Sequence, residues 1–236
     1  MNGLKLTNYI PLKLPQIIVN GAKIEQVSKS KFLGVLIDEN INWNEHIKLV
    51  ESKLSKNIGI LFKAKNFLDK TSMRNLYFSF INVYINYANI AWGSAPQTKL
   101  KKIYSKQKQA SRIILNEERD AHSKPLMKSL DILNVYQLNI FQHLLFMHKV
   151  KNETTLDIFK NRFSYINHGY PTNYSKHNFN IPLVKLNYLK RSISFRGPNL
   201  WNKLLDDTSK ETISFSKFKT QIKSQLFDIE NECQYF

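Results

Sequence analysis

Cysteine is almost missing from this chain of 236 residues. Cys233 stands alone near the C-terminus, so no disulfide framework and no cysteine-based zinc site can form within the chain. Long apolar runs are missing too, and no stretch approaches the roughly 18 residues that span a bilayer. The first 30 residues alternate polar and apolar and carry Pro11 and Pro15, which is no signal peptide. A soluble, intracellular protein is expected, with nothing to separate nucleus from cytoplasm. The seven glycines are scattered, so no glycine-rich phosphate loop exists. There is no Gly-x-Ser-x-Gly elbow and no His-Glu-x-x-His pair. Acid is scarce: 18 Asp and Glu against 35 Lys and Arg give +17 and a pI near 9.8. That balance leaves the fold open and favours a polyanionic partner. No helix joins a basic face to exposed Trp or Phe, so a membrane surface is disfavoured against nucleic acid. With 42% hydrophobic residues the chain has material for a real core.

What is present reads as a short β region followed by helices. Gln16 to Val19 is β-prone, Asn20-Gly21 signals a hairpin turn, and Ala22 to Val27 returns. The apolar run Phe32 to Ile37 reads as a third, buried strand with Gly34 at a bulge, completing an antiparallel meander. Trp43 to about Lys65 is predicted as an amphipathic helix capped by Asn44, with Ile47, Val50, Leu54, Ile58 and Leu61 inward. Ser72 to Trp92, capped by Thr71 and apolar nearly all round, is predicted as the central buried helix, with Gly93 as its left-handed stop. Gln97 to Leu115 follows. Asn134 is predicted to cap an amphipathic helix to about Lys151, and Thr155 to Phe163 a short one. From Ser164 to Phe195 the reading is a long loop with β pieces such as 180–184. Pro198 is placed at a helix start anchored by Trp201, and Ser214 caps the last helix. No internal repeat is found.

Chemistry is concentrated in positive charge. The helix Gln97–Leu115 holds Lys99, Lys101, Lys102, Lys106, Lys108 and Arg112 and no acid. Such a row can neutralise phosphates and release counterions, giving salt-sensitive, sequence-independent binding; the competing reading is an ordinary exposed face. Between Ile158 and Leu205 there are eight Lys or Arg and no acid, Lys190, Arg191 and Arg196 among them. Tyr165, Tyr170, Tyr174, Tyr188 and Phe195 interleave with that charge, as in single-strand binders that stack bases, or as anchors of a long loop. Two-metal catalysis needs convergent acids. The only Asp pair, Asp206-Asp207, follows a predicted helix and reads as solvated loop, and Asp38 reads as a turn cap. His143 and His148 lie on different helix faces. No catalytic and no metal-binding residue is assigned.

Several separate motifs resemble the reverse transcriptases of jockey-like non-LTR retrotransposons, over roughly residues 16–228. The segment Lys31-Phe32-Leu33-Gly34-Val35, Asp38, Trp43, His46-Ile47 is similar to the stretch that closes their palm and begins their thumb. Leu76-Tyr77, Ser79, Ile81, Tyr84, Tyr87 and Trp92-Gly93 match a thumb pattern, as do Ile103, Gln107, Ala110, Arg112 and Ile113-Ile114. His122, Pro125-Leu126, Leu130 and Ile132-Leu133 continue it, and Arg196-Gly197-Pro198, Trp201-Asn202 resemble a C-terminal signature. The resemblance implies a mainly α fold: a palm-edge β meander at 1–42, a helical thumb-like bundle at 43–119, and a loop-rich helical, basic region at 120–236. It implies a truncated thumb and C-terminal part of an RNA-directed DNA polymerase. Such a part would hold template–primer nucleic acid (RNA, DNA or their hybrid) by its backbone, with Phe32, Leu33, Gly34, Val35 and Leu36 beside the primer end. The family's Tyr-x-Asp-Asp motif has no counterpart, so the chain is not expected to be an enzyme by itself. No cofactor is expected either, since Mg2+ would belong to the missing palm. The alternative is an interaction remnant that docks on an intact reverse transcriptase.

Overall fold

The computed structural model describes residues 16–166, 177–186, 188–211 and 214–229, with only the backbone of Lys160. The β region is two separate hairpins rather than a three-strand meander. Strand β1 (Ile18–Val19) pairs antiparallel with β2 (Ala22–Lys23), and the Asn20-Gly21 turn has positive φ at both residues, as its sequence predicts. Strand β3 (Lys29–Phe32) pairs with β4 (Val35–Asp38) in the register Phe32↔Val35. The run Phe32–Ile37 is therefore no single strand. Leu33 and Gly34 form a second turn of the same kind, with φ 45° and 83°. A leucine carries no turn signal and rarely adopts that backbone, so periodicity alone misread it. Only Val35 of β4 is buried; Phe32 is 64% exposed and Leu33 73%.

Asp38 organises the way out of the sheet. Its carboxylate accepts from the N–H groups of Asn40 (3.2 Å), Asn42 (3.1 Å) and Trp43 (3.0 Å), which makes it the turn cap its position suggests. Helix α1 spans Asn44–Ala64 and buries Ile47, Val50, Leu54, Ile58 and Leu61. Its N-cap is Trp43 in the left-handed region, without a side-chain cap, so Asn44 does not cap it.

The stretch predicted as one buried helix is broken. Helix α2 (Lys70–Tyr77) is capped by Asp69 rather than Thr71, through Thr71 N–H and Ser72 N–H. A π-helical segment (Phe78–Asn82) leads into α3 (Val83–Asn86), and after a left-handed Ala88 comes α4 (Asn89–Trp92). The buried residues Met73, Tyr77, Ile81 and Ile85 are spaced four apart. In an α-helix that spacing drifts by roughly 40° per step, and a wider π turn takes up part of the drift. Helix α5 (Gln97–Leu115) has the predicted bounds. It runs parallel to α1: Lys99 donates to Asn42 O at their starts, and Lys65 Nζ to Asn116 Oδ1 at their ends.

Helix α6 is Ser123–Ser129, and α7 is Val135–Lys151. Asn134 caps α7 in a full capping box with Gln137. The central buried helix is α7, not 72–92. Val135, Tyr136, Leu138, Ile140, Phe141, Leu144, Leu145 and Met147 are all buried, so it is apolar on every side, the pattern of a helix surrounded by others. Helix α8 is only Asp157–Lys160. Tyr165 bridges Phe179, and no strand forms at 180–184. A 3-10 turn (Leu189–Arg191) precedes α9 (Ile193–Leu204), which starts five residues before Pro198 and holds that proline inside it. Trp201 anchors α9 fully buried between Phe179 and Phe218, as predicted. Then come α10 (Asp207–Glu211) and α11 (Phe215–Asp228), capped by Ser214. Buried residues from Ile47 to Leu226 form one contiguous cluster.

Two glycines allow the helices around α7 to close. Gly93 is right-handed, not the left-handed stop predicted; a Cβ there would lie 2.5 Å from Asn89 O and 2.8 Å from Asn139 Nδ2. At Gly197 a Cβ would meet Met147 Sδ at 2.7 Å, the far end of a flexible side chain. Gly93→Ala should therefore cost about 2–3 kcal/mol, and Gly197→Ala clearly less, because Met147 can turn aside. Urea unfolding of both variants reads the difference; equal costs would show that neither contact is rigid.

Candidate nucleic-acid interface

The six cations of α5 do not form one row. At 100° per residue, Lys99, Lys102 and Lys106 fall on one stripe and Lys101, Lys108 and Arg112 on another, roughly 130° apart around the helix. The first stripe follows the seam with α1, where Lys99 Nζ donates to Asn42 O (3.1 Å) and Lys102 Nζ lies 3.8 Å from Glu51. On the second, Arg112 donates from Nε and Nη2 to Ala121 O at 3.0 and 2.8 Å, and Lys108 Nζ sits 4.8 Å from the Tyr104 ring centroid. Lys101 and Lys106 make no hydrogen bond or ion pair among the described residues, and Lys101 is exposed. The free charge of the helix is thus narrower than its composition implies.

Between the C-terminal ends of α1 and α5 lies an open groove of about 400 Å3 lined by Phe62, Lys65, Gln109, Arg112, Asn116 and Arg119, beside Glu117. Phe62 is exposed, and Lys65 Nζ stands 4.9 Å over its ring. Sequence reading missed Phe62, Lys65 and Arg119. The helical period of α1 does place Phe62 and Lys65 off its core face, but only the parallel packing brings them beside Arg112.

The hairpin turn assigned to the primer end stands over a small pocket of about 220 Å3 lined by Leu33, Gly34, His46, Val50, Lys53 and Tyr87. Tyr87 Oη donates to Leu33 O at 2.5 Å and fixes the left-handed turn. His46 Nδ1 accepts from Leu36 N–H at 3.3 Å. Its Nε2 is buried without a partner among the described residues, and burial, then Lys53, lowers its pKa. Val35 is buried and Leu36 half-buried, whereas Phe32 and Leu33 are exposed.

The C-terminal candidates divide. Lys190 is exposed and Arg191 half-buried. Arg196 is 6% exposed. Its Nε donates to Asn139 Oδ1 at 3.1 Å; Asn139 Nδ2 in turn donates to Asn89 O at 2.9 Å, and Asn89 Nδ2 to Ile85 O at 3.0 Å. Burial, then neighbouring Arg191, pushes the Arg196 pKa down to about 10, still charged at neutral pH. Of the interleaved aromatics, Tyr165 stacks on buried Phe179 at 4.7 Å, an anchor; Tyr188 is exposed; Tyr170 and Tyr174 lie outside the described residues. Asp206 caps α10 through Ser209 N–H (2.9 Å), and hydrogen bonding from the Ser209 side chain, then its backbone, lowers its pKa, so it is a helix cap rather than plain loop. Among the described residues no three His, Cys, Asp or Glu side chains converge as a metal site. No described helix is long and apolar enough to cross a membrane.

Over 125 residues, 52% of this chain, the sequence is 22% identical to a probable RNA-directed DNA polymerase from transposon X-element of Drosophila melanogaster. The matched stretch is 14% of that protein's length, so this chain spans a small part of it. No protein-family model and no solved structure matches. About half of the chain is thus distantly similar to a retrotransposon reverse transcriptase.

Buried His143 gives the core a pH signature. Its Nδ1 donates to Asn139 O at 2.8 Å, leaving Nε2 enclosed with no partner among the described residues. Burial, then Arg196, holds its pKa at about 3. The unfolded chain protonates this histidine near pH 6.5 and the folded chain does not, so stability is present above about pH 6.5 and drains away as pH falls toward 3. The loss is at most about 1.4 kcal/mol per pH unit for this one group. His143→Leu should flatten the stability–pH profile by one proton's worth between pH 6 and 4, measured by urea unfolding. An unchanged slope would mean that His143 protonates in the folded protein.

Proposed function

We propose that this chain is the thumb-like and C-terminal part of a retrotransposon-type reverse transcriptase, and that it grips the backbone of an RNA–DNA template–primer duplex along α1 and α5. The carrying observation is the pairing of two parallel helices in which α5 holds no acid and bears Lys106 beside the α1 seam and Lys101 and Lys108 on the stripe roughly 130° away. A rigid helical ridge with cations on both flanks suits contact with successive phosphates and carries no base-reading group. The distant similarity to a transposon polymerase supports the same reading. The jockey-like assignment and the place of the Phe32–Leu36 turn beside a primer end belong to this proposal. On this reading polymerisation and its Mg2+ ions belong to a palm outside the sequence, and this chain contributes grip and alignment.

A second reading rests on a different observation. Ile17, Ile18, Val19, Phe32, Leu33 and Ile41 are exposed on and beside the two hairpins. An apolar, short-stranded edge of that kind suits docking on another sheet, such as an intact transcriptase, without a nucleic-acid role for the helices.

Anisotropy of a labelled RNA–DNA hybrid across a salt series separates the two. The grip predicts a steep fall of affinity with salt, and Lys101→Gln, Lys106→Gln and Lys108→Gln together should reduce the log–log slope by about 2–3, near 0.9 for each phosphate no longer neutralised. No binding by the folded chain at low salt would discard the grip and leave docking. Binding with an unaltered slope in the triple variant would move the interface off α5.

A further inference from the structure

The connection from α4 to α5 and the beginning of α9 enclose a pocket of about 430 Å3 that is distinct from the α1–α5 groove. Its walls include Ser94, Gln97, Thr98, Lys190, Arg191 and Arg196, with no acidic residue among those lining it. Three arginine and lysine side chains therefore meet the positive end of a 19-residue helix. The cap residue at that helix end is Pro96, which makes no side-chain cap, and the first turn holds no acid. The Thr98 amide, second in the helix, has by position no carbonyl within the helix to bond. Like charges so arranged repel one another, yet the fold holds Arg196 in place through Asn139, deep in the core. Ser94 supplies an independent sign of a ligand. It is 4% exposed, it lines this pocket, and its Oγ has no hydrogen-bond partner among the described residues. A buried hydroxyl without a partner is uncommon in folded proteins, and a ligand oxygen in this pocket would satisfy it.

We propose that this pocket binds a phosphate group, with the α5 amides and the Ser94 hydroxyl donating to its oxygens and Lys190, Arg191 and Arg196 balancing its charge. Helix amides and arginine forks are the groups that recognise phosphate oxygens best. The room exceeds one anion, so a phosphate carrying an attached group fits as well. Two sources share this chemistry, the terminal phosphate of a nucleic-acid strand and free phosphate. The first rests on the nucleic-acid reading above; the binding of phosphate itself does not.

The test is thermal unfolding of the whole chain in sodium phosphate against sodium chloride at matched ionic strength. Phosphate well above its Kd should raise Tm by about 5 °C. Lys190→Gln with Arg191→Gln, an exposed and a half-buried position, should abolish the rise of Tm in phosphate over the same variant's Tm in chloride. Ser94→Ala should weaken the rise. The same stabilisation by chloride, or a full rise in the double variant, would overturn the proposal. A short single strand with a 5′-phosphate binding about tenfold tighter than its 5′-hydroxyl twin, with that preference abolished in the double variant, assigns the site to a strand end. Equal affinities beside an intact phosphate shift assign it to free phosphate. The Lys101, Lys106 and Lys108 variant should keep the phosphate shift whatever happens to hybrid binding, so the two proposals fail separately.

Discussion

Asn139 stands at the middle of a helix that is apolar on every side, where an amide left unpaired would be strongly destabilising. It is paired on both ends, to Asn89 of α4 and Arg196 of α9. That constraint fixes how three helices meet. Gly93 must be small for α4 to reach the amide, and Gly197 must be small for α9 to approach α7 at Met147. A buried arginine is tolerable only with such a partner, and removing the partner is more damaging than never having buried the charge. Two motifs noticed separately in the sequence, Trp92-Gly93 and Arg196-Gly197-Pro198, thus prove to be two sides of one junction. Their placement is a packing requirement first, whatever else the charge of Arg196 serves.

The helical spans were legible because their periodicity is long and their caps are chemical. Helix α5 was read with its bounds, and Asn134 with Gln137 spelled out the start of α7. What failed was local backbone geometry and rank of burial. Leu33-Gly34 is a hairpin turn whose first residue carries no turn signal, held by Tyr87 from 54 positions away. The segment 70–92 looked uninterrupted because aromatic and aliphatic residues fill every position, and composition does not show a π turn or a left-handed Ala88. Apolar residues all round also led the burial ranking astray. Phe80, Val83 and Tyr87 are exposed, while α7, which looked amphipathic, lies inside.

For the candidate interface, charge was legible and its disposition was not. Sequence counting finds six cations on α5 but cannot see that Glu51, Asn42 and Ala121 already engage three of them. Nor does it show that α1 runs parallel to α5 and brings Lys65 beside Arg112. Arg196 looked like its neighbours Lys190 and Arg191, and only packing separates a core arginine from surface ones. Ser94 had no distinguishing sign at all, because an unmatched hydroxyl is a property of its surroundings.

The crossing of chain near Trp201 has an architectural consequence. Asn202 brackets Phe179 from both sides, accepting from its N–H and donating to its carbonyl, and Trp201 Nε1 donates to His177 O. The same strip is tied to the incoming chain by Ile166 N–H to Asn178 O and Asn180 N–H to Ser164 O. Positions 166 and 178 are thereby held together by hydrogen bonds of the described residues. One side chain, Asn202, thus takes the part of a strand partner, satisfying both backbone groups of Phe179 where no regular strand forms.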